Sequence, residues 1–317
     1  MAHRKEIVTI FGGTGFLGKQ IVGDLARRGF IIKIATRIPE SAYSLKPYGE
    51  VGQIVPIECN YLDASSIRAA VKGSDFAVNC VGILFERGKR SRFARVHIDI
   101  PAMIAKACAD EQVKRFVHIS ALGCDKATSK YGKSKLAGEA AILSNYPAAT
   151  ILRPSVIFGE NDNFFNMFAE LSRFTPFLPL IGGGKTKFQP VYVGDVADIV
   201  VKALTSNMNK YLGSIYELGG ADIVTFKEIY EKLFEYTGRR RRLIHVPYWA
   251  AKIQAVFLSL LPKPIFTPDQ VESLKTDNIV SEGAKNMQSF DIMPKSMDLI
   301  LPKYLKNYKA GGRFAWA

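Results

Sequence analysis

Cysteine and histidine are scarce in this sequence, and neither is spaced for metal binding. The four cysteines (Cys59, Cys80, Cys108 and Cys124) include no Cys-x-x-Cys pair, and the four histidines show no ligand spacing. Widely spaced cysteines of this kind are most often buried free thiols, which suits a reducing compartment. We therefore expect no metal and four buried thiols.

The sequence also shows no leader-like pattern and no apolar run long enough to predict a membrane span. The N-terminus, MAHRKEIVTI, leads directly into a strand and shows neither an apolar signal-peptide core nor an Arg/Ser-rich presequence. The apolar stretch Tyr248–Leu261 has only 14 residues. A bilayer span takes roughly 20. These features predict a cytoplasmic protein, or one on the matrix side if an organellar presequence has been removed.

Acidic residues are outnumbered, 29 against 43 basic ones, which gives a net charge of +14. Such an excess suits nucleic acid, anionic lipid or an acidic protein, and because no nucleic-acid fold signature accompanies it we expect no nucleic acid. The charge is dense in two runs, one made of Arg87, Lys89, Arg90, Arg92 and Arg95 and the other of Arg239–Arg242. A charge run is usually a solvated face, but four consecutive arginines beside an amphipathic stretch favour a docking surface.

The amphipathic stretch has two interpretations. Its apolar residues recur at helical spacing: Trp249, Ile253, Val256, Phe257, Leu260 and Leu261. Such a helix can belong to the core of a small lobe, or it can lie in a membrane interface or against a partner helix. The spacing fits both.

Strand and helix signals alternate through the first half, as in a doubly wound parallel sheet with helices on both faces. The predicted strands are the apolar runs Ile7–Phe11, Ile31–Thr36, Ile54–Cys59, Phe76–Val81, Phe116–Ser120 and Thr150–Arg153. After Pro154 the pattern loosens, and beyond the helix that a capping box opens at Thr225 only helix signals and prolines remain. We therefore predict an α/β fold with a dinucleotide-binding domain over residues 1–158, to which residues 190–220 return, and a smaller irregular C-terminal lobe over residues 159–189 and 221–317.

Three glycines follow the first predicted strand and open a helix, which is the context that a glycine pattern requires. Gly12 permits a tight turn, Gly15 lets backbone N–H groups approach a pyrophosphate, and Gly18 lets the helix pack close to the strand. The helix N-terminus then offers unpaired N–H donors and a partial positive charge to the phosphates. Together with the intervening Thr14, Phe16 and Leu17, these glycines predict a dinucleotide site in a Rossmann-type domain.

The end of the second strand indicates which dinucleotide binds. NAD binders place an acidic residue there to hold the ribose hydroxyls, whereas this strand ends at Thr36 and is followed by Arg37. A guanidinium can form charge-assisted hydrogen bonds with a 2′-phosphate. We therefore favour NADP(H), with NAD(H) as the alternative.

Further segments, with the spaced glycines, resemble the extended short-chain dehydrogenase/reductases of the NAD-dependent epimerase/dehydratase type. They are Asn60-Tyr61-Leu62-Asp63, Asn79-Cys80-Val81-Gly82 and the stretch from Tyr131 to Lys135. The similarity covers most of residues 5–220. It implies that Asn60, where the superfamily usually has Asp, and Tyr61 lie at the adenine. It also implies that Cys80, Val81 and Gly82 lie along the cofactor, with Pro154, Ser155 and Val156 beside the nicotinamide.

Tyr131 and Lys135 stand four residues apart on one face of a predicted helix. A phenol has a pKa of about 10, and a nearby ammonium is expected to lower that pKa and to bind the nicotinamide ribose. The superfamily's third member, a Ser or Thr, falls at Leu122, which cannot polarise a substrate carbonyl. Ser120, itself predicted at the cofactor, and Ser129 are the candidates to replace it. The cofactor site is thus complete while the substrate chemistry is impaired, which leaves catalysis an open question.

That combination resembles the NADPH-binding, Rossmann-type accessory subunits of respiratory complex I, in a bacterial version. Supporting segments lie in the C-terminal lobe: Gly238–Ile244, Val246–Lys252 and Thr267–Asn278. The resemblance implies a structural nucleotide and a place where the peripheral arm of the complex meets its membrane arm. We therefore expect complex I subunits or the membrane surface as partners, and a peripheral position on the inner face of the cytoplasmic membrane.

Three functions are compatible with these patterns. The first is a non-catalytic accessory or assembly subunit of complex I, and the second is an active NADPH-dependent oxidoreductase, epimerase or dehydratase acting on a sugar nucleotide or isoprenoid-like substrate. The third is a redox-sensing regulatory protein. Leu122 favours the first and third, whereas Tyr131 with Lys135 keeps the second open. The arginine run and the apolar stripe favour the first over the third.

Overall fold

A computed structural model describes residues 4–206, 209–261, 264 and 266–309. The remaining residues, among them the ends of the predicted domains at residues 1–3 and 310–317, lie outside the described residues. The strands are β1 (Ile7–Phe11), β2 (Ile31–Thr36), β3 (Ile54–Glu58), β4 (Phe76–Asn79), β5 (Arg115–Ile119), β6 (Thr150–Pro154), β7 (Ile157–Phe158), β8 (Phe177–Ile181), β9 (Lys187–Phe188), β10 (Val191–Tyr192), β11 (Ile215–Leu218), β12 (Val224–Thr225) and β13 (Arg242–Val246). The helices are α1 (Phe16–Arg27), α2 (Ala64–Val71), α3 (Ile100–Asp110), α4 (Lys130–Asn145), α5 (Phe165–Phe174), α6 (Val193–Thr205), α7 (Phe226–Thr237), α8 (Tyr248–Leu258), α9 (Pro268–Ser273) and α10 (Met297–Leu305).

A seven-stranded parallel sheet forms the centre of the molecule, in the order β11-β6-β5-β4-β1-β2-β3. The strand order reverses between β1 and β4, so their carboxyl ends border the crevice in which open α/β sheets bind ligands. Apolar residues of α1 and α6 cover one face of the sheet and those of α2, α3 and α4 cover the other. The predicted doubly wound α/β fold is confirmed.

Four of the predicted strands end one or two residues away from the predicted position: β3 ends at Glu58 rather than Cys59 and β6 at Pro154 rather than Arg153, and β4 and β5 also end early. β4 stops at Asn79 rather than Val81, because the Asn79 side-chain oxygen accepts the Val81 N–H (2.9 Å) that a longer strand would offer to its ladder. β5 stops at Ile119, one residue before Ser120. A π-helical turn, Ala94–Asp99, leads directly into α3.

The C-terminal lobe contains a strand where we expected only helices and prolines. β13 pairs in parallel with β8, and Leu243 lies opposite Leu178. Its residues are mostly exposed or half-buried, so no continuous apolar run marks it in the sequence. The core of the lobe is instead aromatic, with ring contacts among Phe158, Phe164, Phe165, Phe168, Phe188, Phe226 and Tyr230.

Candidate functional site

The glycine loop between β1 and α1 has no room for side chains at two positions. Gly12 has φ +78°, and a Cβ there would lie 3.0 Å from the Cys80 carbonyl carbon. A Cβ on Gly18 would lie 2.2 Å from Gly12 O, which no side chain tolerates. The loop closes with a hydrogen bond from Gly15 N to Gly12 O (3.0 Å). These contacts place the start of α1 against the carboxyl end of β1.

The start of α1 is open to an anion. Gly15 is exposed, Thr14 and Phe16 are half-buried and Leu17 packs inward. In this fully described helix no side chain caps the N-terminus and the first turn holds no acidic residue. The unpaired N–H groups therefore face the crevice with the positive end of the helix dipole, an arrangement that suits a pyrophosphate.

The carboxyl end of β2 carries the exposed side chain of Arg37. Beside it, the Tyr61 hydroxyl donates to Ala35 O (2.5 Å) and accepts from Gly12 N (3.4 Å), so this ring braces the glycine loop. Burial raises the pKa of Tyr61 to about 12. Asn60 is exposed, and its side-chain oxygen accepts the Leu62 N–H (3.1 Å). The predicted adenine end of the site is thus exposed to solvent, with the cationic side chain of Arg37 at its border.

The segment after β4 borders the other side of the crevice. Cys80 and Val81 are half-buried and Gly82 is exposed, so the expectation of four buried thiols is wrong for Cys80, which lies at the open end of the sheet. Burial nevertheless raises the pKa of the Cys80 thiol to about 12. A Cβ on Gly82 would lie 4.0 Å from the Lys135 ammonium, which brings this segment next to α4.

Pro154, Ser155 and Val156 lie where β6 ends, across from Leu122. Leu122 N donates to Pro154 O (2.9 Å), and Val156 O accepts from Val191 N (2.9 Å). The Ser155 hydroxyl donates to the Asn278 side-chain oxygen (2.6 Å). The C-terminal lobe therefore reaches the predicted nicotinamide end of the site.

Tyr131 and Lys135 lie on α4, and burial shifts the pKa of each. Lys135 is buried, its ammonium donates to Ile119 O (2.8 Å), and burial lowers its pKa to about 8. The prediction that the ammonium lowers the pKa of Tyr131 is wrong for this structure, because burial raises that pKa to about 12. The Tyr131 phenol is therefore protonated at neutral pH.

The position of the third catalytic group is apolar, and one of the two candidate replacements already donates its proton within the protein. Leu122 is buried. The Ser120 hydroxyl donates to the buried Glu139 carboxylate, which also binds Arg153 through two nitrogens. Ser129 caps α4 by accepting from Gly132 N (3.2 Å). The suggestion that Ser120 supplies the missing hydroxyl is therefore wrong, because its O–H is committed to Glu139, whereas Ser129 stays a prediction.

His97 contacts Tyr131 and was missed by sequence reasoning, since a single histidine in a helix carries no signal. Its Nε2 accepts from Ile83 N (3.1 Å), so Nδ1 carries the proton and donates to Ser134 Oγ (2.8 Å). Burial lowers the pKa of His97 to about 3, which keeps it neutral. A Cβ on Gly138 would lie 1.9 Å from His97 O, so this glycine allows α4 to approach closely enough for the rings of His97 and Tyr131 to meet edge to face (centroids 5.4 Å apart).

Two residues of the C-terminal lobe complete the walls of the site. The Asp269 carboxylate accepts from the first two N–H groups of α4, Lys130 N (2.7 Å) and Tyr131 N (2.9 Å). Asn278 binds Ser155 and also donates to Leu122 O (3.0 Å). Both residues belong to Thr267–Asn278, one of the segments that resemble complex I accessory subunits. The local sequence of this segment does not indicate that its residues contact α4 and Leu122.

The apolar stripe of the sequence lies on the surface of the lobe. Within α8 only Ala251 and Ala255 are buried. The large side chains are exposed: Trp249 (69%), Ile253 (54%), Val256 (51%), Phe257 (68%), Leu260 (80%) and Leu261 (45%). Small residues therefore face the core and large ones face outward, the reverse of an ordinary core helix.

Of the four arginines in the run Arg239–Arg242, two donate hydrogen bonds to other elements of the protein and two are exposed. Arg239 Nε donates to Tyr308 O (2.8 Å) and Arg241 Nε to Ser172 O (2.7 Å), while Arg240 and Arg242 are exposed. Arg239 and Arg241 thus hold the segment before β13 to neighbouring elements, and Arg240 and Arg242 are the exposed pair of the run.

The part of the chain that the structure describes holds neither a cluster of metal ligands nor a membrane-spanning helix. No group of His, Cys, Asp or Glu side chains there is arranged to hold a metal ion. Within the same part of the chain, no helix combines the length and the apolar character that crossing a membrane requires.

Comparison with known proteins identifies relatives of the whole chain. The profile of the NAD dependent epimerase/dehydratase family matches residues 8–219. NADH dehydrogenase (ubiquinone) 1 alpha subcomplex subunit 9, mitochondrial, from Arabidopsis thaliana is 35% identical over 96% of this chain and 79% of its own length. The protein of the same name from Mus musculus is 31% identical over 96% of this chain and 80% of its own. A solved NADPH-dependent quinone oxidoreductase from Escherichia coli, complexed with NADPH, shares the fold at 15% identity, with a TM-score of 0.73 and coverage of 94% and 98% of the two chains.

Proposed function

Because this chain belongs to the NAD dependent epimerase/dehydratase family and, within it, to the group of the alpha subcomplex subunit 9 proteins, we propose that it is an accessory or assembly subunit of respiratory complex I. In that role it holds NADP(H) and does not turn over a substrate. One observation carries the proposal. The glycine loop and the uncapped N-terminus of α1 suit a dinucleotide, whereas Leu122 occupies the position of the catalytic hydroxyl and the Ser120 hydroxyl is bound to Glu139.

The residues of the crevice fit a dinucleotide. Gly12, Gly15 and Gly18 leave the space and the N–H donors for a pyrophosphate. The other proposed contacts are Thr14, Phe16, Leu17, Asn60, Tyr61, Cys80, Val81, Gly82, Ser120, Tyr131, Lys135, Pro154, Ser155 and Val156. In related enzymes the bound nicotinamide supplies a hydride. Here Tyr131 and Lys135 would serve the ribose, because a protonated phenol and a buried amine are both hydrogen-bond donors.

NADP(H) is the proposed form, with NAD(H) second. Arg37 lies exposed where β2 ends, and Thr36, the last residue of the strand, carries no charge. An arginine binds a phosphate with charge-assisted hydrogen bonds but gains little from a pair of ribose hydroxyls. The preference therefore rests on Arg37.

We propose the same division of the chain that its sequence suggests. Residues 1–158 and 190–220 hold the dinucleotide, and residues 159–189 and 221–317 dock. The docking surface consists of the exposed stripe between Trp249 and Leu261 together with Arg240 and Arg242. An exposed apolar helix face beside cations suits complex I subunits or the membrane surface, in a peripheral position on its inner face.

An active NADPH-dependent oxidoreductase, epimerase or dehydratase is the second candidate. It is favoured by the presence of Tyr131 and Lys135 at adjacent turns of α4. Against it, the pKa of Tyr131 is raised to about 12, which makes this phenol a poor proton acceptor at neutral pH.

Affinity purification from native membranes tests the proposal. Tagged wild-type protein is expected to recover complex I subunits, and Tyr131→Phe should recover them equally well. Replacement of Trp249 and Phe257 by Ser should abolish the recovery while NADPH binding survives. The enzyme hypothesis would replace ours if the protein stayed without partners in cell extracts, or if it oxidised NADPH with a defined metabolite in a Tyr131-dependent manner.

A further inference from the structure

An open groove of about 650 Å³ lies between α8 and the segment that follows β4. Its volume falls within the range of about 300–1,000 Å³ that small-molecule sites occupy. Its apolar lining includes Phe85 and Phe93 from the segment after β4 and Ile253 and Val256 from α8, together with Pro264 and Pro268. The surface available to a ligand is therefore largely hydrocarbon.

The carboxylates that line the groove already have internal partners. Asp269 accepts two backbone N–H groups at the start of α4. Glu272 forms ion pairs with Lys252 and Lys275, at 2.5 and 3.1 Å. Glu86 accepts from Phe93 N (2.9 Å). The charge of Glu272 is thus balanced by two lysines, and the carboxylates of Asp269 and Glu86 are occupied by backbone N–H groups.

The segment after β4 continues into a basic hairpin. Arg87 N donates to Ser91 O (2.9 Å), and the turn between them passes through Gly88 at φ +60°. The exposed cations of this hairpin and of the residues that follow it are Arg87, Lys89, Arg90, Arg92 and Arg95. One continuous segment is thus apolar at its base and strongly positive at its tip.

We propose that this groove binds an anionic phospholipid, with an acyl chain between Phe93 and Val256 and the phosphate at the hairpin. An acyl chain matches the apolar walls, and a phosphate diester is complementary to a cluster of lysine and arginine. Neither feature alone specifies the ligand, but an anion joined to a hydrocarbon chain satisfies both. The site shares Ile253 and Val256 with the proposed docking stripe and otherwise stands apart from it.

Calorimetry with the NADPH-saturated chain tests the ligand class. Dihexanoyl phosphatidylglycerol, kept below its critical micelle concentration, is expected to bind at least fivefold more tightly than dihexanoyl phosphatidylcholine, which has the same tails. Glycerol 1-phosphate should show no binding, and diheptanoyl phosphatidylglycerol should bind roughly fourfold more tightly, since one of its chains buries one more methylene. Equal affinity for both headgroups, equal binding of glycerol 1-phosphate, or no lipid binding would overturn the proposal.

Two variant pairs locate the site. Val256→Asp places a carboxylate in the apolar wall and should weaken phosphatidylglycerol binding at least tenfold, whereas Phe257→Asp, on the next residue and outside the groove, should change it less than twofold. Lys89→Ser with Arg90→Ser should reduce the affinity to that of phosphatidylcholine, whereas Arg240→Ser with Arg242→Ser should not. An unchanged affinity in Val256→Asp or in the hairpin variant contradicts the assignment.

The hairpin variant also separates this proposal from the docking function. It should lose the preference for phosphatidylglycerol and still recover complex I subunits from membranes. If the wild-type chain recovers no complex I subunits, the lipid measurements on purified protein still decide whether the groove binds phospholipid.

Discussion

Arg37 is the residue on which the proposed preference for NADP(H) rests. Arg37→Glu places a carboxylate where the 2′-phosphate would lie, so NADPH affinity should fall at least tenfold and NADH affinity should rise above it. Calorimetry with both nucleotides measures the change. Lys46→Glu, which alters a nearby exposed cation, should leave the wild-type order intact, and equal wild-type affinities for the two nucleotides would sink the hypothesis.

Lys135 makes the stability of the nucleotide-free protein depend on alkaline pH. Its pKa falls from 10.5 to about 8 on folding. Because the folded state disfavours the charged amine, the cost of burying it is complete below pH 8 and disappears as the pH rises through the window between these values. Stability should therefore increase with pH in that window relative to Lys135→Met, which does not titrate.

The expected size of this change is about 3 kcal/mol between pH 8 and pH 10.5. Urea unfolding of both proteins at several pH values gives the difference directly, and groups that titrate in both proteins cancel. A gap between the two free energies of unfolding that stays constant with pH would show that Lys135 keeps its ordinary pKa in the folded state.

At the scale of elements, α4 depends on a cap that another lobe provides. Asp269→Ala removes the acceptor for two N–H groups of α4 and should lower the free energy of unfolding by about 1–2 kcal/mol. NADPH binding should weaken as well, because the same turn of the helix carries Tyr131. Asp269→Asn retains an acceptor and should restore most of the stability in urea unfolding, whereas equal losses in both variants would assign the effect to charge alone.

The arginine run should separate into two pairs with opposite effects. Arg239→Ser with Arg241→Ser removes two internal hydrogen bonds and should lower the free energy of unfolding by about 1 kcal/mol for each. Arg240→Ser with Arg242→Ser should leave stability unchanged. The second pair should instead weaken recovery of complex I subunits and make it easier to disrupt with salt. Identical behaviour of the two pairs in both assays would contradict this division.

For the whole molecule, a structural dinucleotide should stabilise the fold by mass action. At a hundred times its Kd, NADPH should add about 2.7 kcal/mol and raise Tm by roughly 5–10 °C. Gly15→Asp should abolish the shift, because its carboxylate would face the pyrophosphate; φ −76° suits an aspartate, and its Cβ would lie 3.2 Å from Gly12 O. Ser65→Asp, which adds a carboxylate to the first turn of α2, should retain the shift. Bound NADPH with an unchanged Tm is incompatible with a structural role.

Much of the fold and of the crevice follows from the sequence because the determining constraints are local. Apolar runs bounded by turn residues predicted the strands of the parallel sheet, and the glycine spacing predicted a tight turn before α1. The position of Leu122 follows from counting along one strand and its loop. Each of these depends on residues within a few positions of one another, where backbone sterics and side-chain periodicity act directly.

The tertiary structure decided what depends on distant partners. The stripe of α8 has a spacing that serves a core helix and an exposed one equally well, and only the packing of Ala251 and Ala255 against the lobe turned its large residues outward. The Ser120 hydroxyl donates to Glu139 and so cannot donate to a substrate, and the Asp269 carboxylate accepts the first N–H group of α4. Such contacts join segments far apart in the chain, so their geometry is set by how the layers pack and has no local signature in the sequence.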